Sequence, residues 1–230
     1  MRNFAILLCL SSLALVVTAQ QSKTADVVAI SKAAFDAHGG AKLKSMKTLV
    51  IKGGVDVTVQ ARTLAGGFST VISGNKYILD IQTLLQSMKQ TFDGQNTVSS
   101  IRGFTLPPVT SLGFPLLPRI GDEGYVVSVP PEAKRKGKGF RLTAPDGFYT
   151  DFYVDEKTGL VKAYESAYDV NGRYITTSVE IDKYRVVDGI TIPEKYAQRF
   201  DLGQLTAYAS FKAKDILVNA PIDDAAFDGK

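Results

Sequence analysis

Beyond Lys47 the chain alternates apolar and polar residues, and this period of two constrains the fold more than any other feature. Val55, Val57, Val59 and Ala61 alternate with Asp56, Thr58, Gln60 and Arg62; Leu205, Ala207, Ala209, Phe211 and Ala213 alternate with Thr206, Tyr208, Ser210 and Lys212. Successive strand side chains point to opposite faces, so such runs predict half-buried antiparallel strands. Turn signals separate them: Gly66-Gly67, Gly74-Asn75, Asp93-Gly94, Asp146-Gly147, Lys157-Thr158-Gly159, Asn171-Gly172, Asp188-Gly189 and Leu202-Gly203. Asn171-Gly172 is the strongest hairpin signal, because both central residues of a type I′ turn need positive φ. Between these turns lie about ten strands on short links. A meander that wide is expected to curl into an unclosed barrel, since a flat sheet would leave long open edges.

Only one stretch has the period of a helix. From Ala25 to His38, Val27, Ile30, Ala34 and Ala37 recur at steps of three and four, Thr24 stands ready to cap the start, and Gly39-Gly40 ends it. Ser31, Lys32 and Asp36 fall on the opposite, polar side, so the helix should lie on the sheet. A short helical turn from Ala41 to Met46 should follow. The fold class is therefore α+β: a strongly curved antiparallel sheet with an N-terminal helix.

Residues 1–19 read as a secretory signal. Arg2 precedes an apolar run from Phe4 to Val17, and Val17-Thr18-Ala19 has the small-residue pattern of a cleavage site. As a helix that run reaches only ~21 Å, short of a hydrocarbon core of ~30 Å. The single cysteine, Cys9, would leave with it. Residues 20–230, with no composition shift or linker, are expected to form one exported, periplasmic, monomeric domain held by its core without disulfides.

Gly103 to Gly124 does not alternate. Pro107, Pro108, Pro115 and Pro118 stand among Phe104, Leu106, Val109, Leu112, Phe114, Leu116, Leu117 and Ile120. A connection this long is uncommon unless it serves as a lid or binding loop, and its apolar content makes full exposure costly. Two roles fit: a plug for one open end of the sheet, or a movable cover over an apolar cavity.

Candidate chemistry is sparse. His38 is the only histidine, which leaves no histidine-based triad and too few ligands for a zinc site; capping of the helix end, or exposure, is its expected role. The acid pairs Asp122-Glu123 and Asp223-Asp224 are sequence neighbours, which does not place two carboxylates around a substrate. Tyr149, Asp151, Tyr153 and Asp155 share one strand face that can bind a polar ligand, or can pack as an outer face against Tyr164 or Tyr168. The basic run Lys134, Arg135, Lys136, Lys138 and Arg141 is read as a solvated hairpin tip, with weak attraction to an anionic membrane surface as the alternative. Glycines rather than aromatics separate its charges, which argues against nucleic acid. Gly53-Gly54 and Gly66-Gly67 lack phosphate-loop spacing and are read as bulges or turns. No metal, cofactor or catalytic residue is expected.

Four segments together resemble the outer-membrane lipoprotein-sorting proteins, relatives of the periplasmic lipoprotein carrier. They are Phe35-Asp36-Ala37-His38-Gly39-Gly40 leading through Leu43 and Met46 into Thr48–Gly53; Phe152–Leu160; Tyr184–Pro193; and Val218–Phe227. The resemblance implies an unclosed barrel with helices or loops across its concave face and acyl chains held between. It implies a non-enzymatic exported binding protein, with a lipid or lipid-modified ligand as partner. The alternative is an envelope module that binds a protein through a sheet edge or the basic hairpin.

Overall fold

The computed structural model of the chain describes residues 25–102, 105–106, 109–131, 137–170, 172–201 and 205–228. The proposed signal, Thr24, Asn171 and the Leu202-Gly203 turn lie outside them. Helix α1 (25–37) and the single turn α2 (Ala41–Lys44) precede twelve strands. In chain order these are β1 (Thr48–Val59), β2 (Arg62–Ser73), β3 (Lys76–Thr83), β4 (Ser87–Phe92), β5 (Thr97–Ser99), β6 (Val126–Ser128), β7 (Gly139–Thr143), β8 (Tyr149–Val154), β9 (Val161–Val170), β10 (Arg173–Val187), β11 (Ile190–Asp201) and β12 (Thr206–Val218).

All twelve form one antiparallel sheet in the order β5-β4-β3-β2-β1-β12-β11-β10-β9-β8-β7-β6. The expected ten become twelve because β5 and β6, three residues each, are too short to show alternation. They are also the two edges, which keeps the unpaired backbone short. The chain thus builds one half of the sheet outward from β1, then crosses to the opposite edge and builds the other half inward to β12. The crossing is the proline-rich segment.

Its geometry proves the curvature. The Leu106 backbone is bonded to Gln90 on β4, and the Gly113 N–H donates to Thr150 Oγ1 on β8 at 2.9 Å. These strands stand eight steps apart in the sheet order, ~38 Å if flat at ~4.8 Å per strand. Seven residues reach at most ~25 Å when extended, and less with Val109–Ser111 in a 3₁₀ turn, so even with the Gln90 and Thr150 side chains added the link falls short of a flat sheet's span. The sheet must therefore curl until β4 and β8 face each other across a concave interior.

Glycines allow part of that curl. At Gly53 the pairing of β1 with β12 shifts register: Lys52 stands opposite Asp215 and Gly53 opposite Ala213, so the extra residue of the bulge, Lys214, lies in β12. Gly66-Gly67, read as a turn or bulge, instead lies inside β2, with Gly67 opposite Gly54. A Cβ on Gly53 or Gly66 would stand 2.1 Å from the carbonyl oxygen of Lys212 or Gln82 respectively, so neighbouring backbones approach where no side chain fits. The true β1–β2 turn is Gln60-Ala61, both at positive φ (47° and 63°), and no glycine marks it. Elsewhere turns fall where expected: Ser73 pairs with Lys76 around Gly74-Asn75, and Val170 with Arg173 around residue 172.

Helix α1 differs from expectation in which residues it buries. The buried stripe is Val27, Ser31 and Ala34, continued by His38, whereas Ile30 and Ala37 are only half-buried. Ser31 tolerates this because its hydroxyl donates to the Val28 carbonyl at 2.9 Å. Small residues let the helix approach the sheet closely. Below it, Leu43 of α2 and Leu116 and Leu117 of the crossing segment complete a dry core with Phe140, Leu142, Phe152, Ile190 and Ile192, all within 1% exposure. Among the described residues, no helix is long and apolar enough to cross a membrane.

Candidate functional site: a chamber under the crossing segment

The other half of the concave interior is hollow, with a chamber of ≈ 690 Å³ between sheet and crossing segment. Small-molecule sites typically run ~300–1,000 Å³. One wall is aliphatic, with Leu49, Ile51 and Val57 of β1, Leu79 and Ile81 of β3 and Met88 of β4; β12 contributes Ala207, Ala209 and Phe211. The alternating apolar sets read from Val55–Val59 and from Leu205–Ala213 are thus the inward faces of β1 and β12. The chamber extends to Val59, Leu64, Thr83 and Gln86, residues at the hairpin ends farthest from α1. Beside them Leu84 and Leu85 form an apolar hairpin tip, 96% and 76% exposed, which no turn signal in the sequence marked.

The crossing segment divides its labour. Leu106, Val109, Leu112 and Phe114 line the chamber, whereas Leu116 and Leu117 are fully buried in the dry core and Ile120 packs against it. Phe104 lies outside the described residues. One stretch therefore both covers the chamber and plugs the end under α1.

Two anchors hold it. At the first, Gln90 is buried on β4; its Nε2 donates to the Leu106 carbonyl at 2.8 Å and its Oε1 accepts from the Leu106 N–H at 2.7 Å. The side-chain amide thereby imitates a paired strand residue. Nε2 also donates to the hydroxyl of Tyr77, itself fully buried. Truncation would strand buried polar groups at ~1–3 kcal/mol each. Gln90→Leu is expected to cost about 2–4 kcal/mol and to speed amide exchange at Leu106 selectively, measurable by denaturant melts and hydrogen exchange.

At the second anchor, Gly113 sits at φ 65° with its N–H on Thr150 Oγ1, which also bonds Ser166 Oγ at 2.9 Å. A Cβ on Gly113 would stand 2.7 Å from the Tyr164 ring. The Tyr164 hydroxyl accepts the Phe114 N–H, and burial pushes its pKa well up. Gly113→Ala combines a left-handed backbone with that clash, and should cost more than the ~1 kcal/mol of backbone strain alone. It should lower the Tm and loosen the cover, read as faster exchange at Phe114.

His38 departs furthest from expectation. It is neither exposed nor a cap for its own helix, but fully buried between three elements. Nδ1 lies 2.7 Å from the Thr191 carbonyl of β11, and Nε2 lies 3.1 Å from the Val161 N–H of β9. A carbonyl can only accept and an N–H only donate, so the ring is neutral with its proton on Nδ1. Burial lowers its pKa below 6.5, partly offset by the Thr191 bond. Phe114 and Tyr184 meet the ring edge-on, each at 5.3 Å between centroids. His38 thus supports the cover from behind.

Among the described residues, none of the other polar candidates lines the chamber. Arg141 grips Asp151 with two hydrogen bonds of 2.6 and 2.7 Å and stacks 3.7 Å over the Tyr149 ring. That corrects its grouping with a solvent-facing basic tip. Lys138 is exposed and meets Glu156 at 3.4 Å, while Lys134, Arg135 and Lys136 lie outside the described residues. The Tyr/Asp face does not pack against Tyr164 or Tyr168 either. Register sets Asp151 opposite Glu165, so Tyr164 faces Phe152 with ring centroids 6.0 Å apart. Among the described residues, no three His, Cys, Asp or Glu side chains cluster as metal ligands.

A curved, open antiparallel sheet wrapped round a covered apolar chamber defines a class of half-barrel folds. Solved structures with this architecture include a LolA superfamily protein from Nitrosomonas europaea, 11% identical, with a TM-score of 0.54 over 87% of this chain and 96% of that one. A DUF1329 family protein from Desulfovibrio piger is 12% identical, with a TM-score of 0.52 over 88% and 97%. The chain has the LolA-like fold. No protein-family profile matches the sequence, and no curated protein matches it significantly.

Proposed function

We propose that this protein is an exported, non-enzymatic container that holds an acyl chain or similar apolar ligand in the chamber, for lipid or lipoprotein traffic across the periplasm. The observation that carries the reading is the covered apolar chamber of ≈ 690 Å³. Its β1 wall runs from Leu49 to Val59, ~33 Å at ~3.3 Å per residue. One leaflet of a ~30 Å hydrocarbon core holds chains about half that long, so a full chain fits. Burying about ten methylenes at ~0.8 kcal/mol each gives ~8 kcal/mol, near micromolar affinity before ordering costs, with no charged contact required. The LolA-like fold supports the reading, as does the apolar rim at Val59, Leu64, Leu84 and Leu85, through which a ligand can enter. Residues 1–19 would direct export.

Titration with an uncharged apolar fluorophore such as diphenylhexatriene tests it. Saturable binding with an emission rise is expected. Emission no greater than with a cavity-free control protein would count against the container.

A further inference from the structure

The chamber has a second, chemically different wall. Facing the aliphatic side, β9 presents Tyr164, Ser166 and Tyr168, β10 presents Thr177, and β11 presents Tyr196 and Gln198. None of the described residues lining the chamber carries a charge. The lining is thus mainly hydrocarbon, with Val179, Ile181 and Phe200 on this same wall, set with a minority of hydroxyl and amide groups and, among the described residues, no ammonium, guanidinium or carboxylate.

Some of these polar groups are spent on the protein. Ser166 bonds Thr150, the Tyr164 hydroxyl takes the Phe114 N–H, and Thr177 Oγ1 donates to the Arg199 carbonyl at 3.0 Å while accepting from Gln198 Nε2 at 3.0 Å. Others are not. Among the described residues, the hydroxyls of Tyr168 and Tyr196 and the carboxamide oxygen of Gln198 make no hydrogen bond. Tyr168 is 5% exposed, among the described residues no fully enclosed side-chain polar atom lacks a partner, and all three of these residues line the chamber. Burial pushes the Tyr168 hydroxyl up to about 12, which keeps it a neutral donor. On β11, Arg199 and Asp201, which alternate with the chamber-lining Gln198 and Phe200, are bonded to each other at 2.9 Å.

We propose that the chamber selects electrically neutral lipids carrying hydroxyl or ester oxygens, which the Tyr168, Tyr196 and Gln198 groups of the β9–β11 wall bind, and rejects lipids whose head is a carboxylate or phosphate. An ion drawn into an uncharged lining loses its water without gaining a counter-ion, whereas an ester or hydroxyl trades water for the waiting hydroxyl and amide groups. This inference rests on the container reading above and narrows its ligand.

Three probes with the same chain separate the two claims: monoolein, methyl oleate and oleate at pH 8, each displacing a bound uncharged fluorophore. The neutral pair should bind at least about tenfold more tightly than oleate, a gap of ~1.4 kcal/mol, and monoolein should lead. Tyr168→Phe with Gln198→Leu should erase the lead of monoolein, and Gln198→Lys, which sets a cation in the wall, should raise oleate affinity. Oleate binding as well as the neutral probes, with Gln198→Lys without effect, would overturn the selectivity and leave the container standing. Failure of every probe and of the fluorophore itself would instead remove the container.

Discussion

Ala209→Trp should abolish ligand binding and leave the fold intact. Ala209 is buried on β12, opposite Val57 of β1, and its side chain borders the chamber. In a filled interior such an enlargement costs ~1–3 kcal/mol through strain. Here the indole enters space that is already empty, so the Tm should stay within about 3 °C of the parent. Occupying the chamber should weaken an apolar probe at least about tenfold, or ~1.4 kcal/mol. Fluorescence titration and a thermal melt on one preparation read both. An unchanged affinity would mean that the ligand sits elsewhere, and a collapsed melt would mean that the interior is packed.

The largest effect on stability should come from His38. His38→Ala removes a ring packed between Phe114 and Tyr184 and strands the buried Val161 N–H and the Thr191 carbonyl. Cavity and unpaired groups together should cost about 3–5 kcal/mol, or roughly 10 °C in Tm for a chain of this size. His38→Phe keeps the volume and loses only the bonds, so it should fall between. The pH dependence has a defined sign. Because the folded-state pKa is lowered below 6.5, the unfolded chain binds the proton more readily, and stability is lost as pH falls from 6.5 toward the folded value. Protonation also removes the acceptor that Val161 needs. His38→Phe should flatten that part of the profile in urea melts between pH 7 and 5; an unaltered slope would mean that His38 does not titrate there.

How much of this was legible follows from what each signal reports. Alternation is a local property, so the inward faces of β1 and β12 could be read from Val55–Val59 and Leu205–Ala213. Turns built on glycine were equally plain, as at Gly74-Asn75. Gln60-Ala61 was not, because its positive φ values are imposed by the strands that pair on either side. Gly66-Gly67 misled for the converse reason: glycine also marks close approach of backbones, and only the position of Gln82 tells the two uses apart. His38 could not be placed, since Val161 and Thr191 lie more than a hundred residues away and its role exists only once β9 and β11 are adjacent. The crossing segment was recognisable as a cover or plug from its prolines and apolar residues. Its division at Phe114 depends on where α1 and α2 end. The polar wall was the least visible part, because Ser166, Thr177 and Gln198 look like ordinary outward-facing strand residues until the register turns them inward.

Lipid content tests the central claim most directly. The protein, expressed with residues 1–19 and purified without detergent, should show by native mass spectrometry a bound lipid at one copy per chain. Extraction should remove it, and Ala209→Trp should abolish it. A chain that is always empty, and stays empty when offered total lipid from the same cells, would contradict the account.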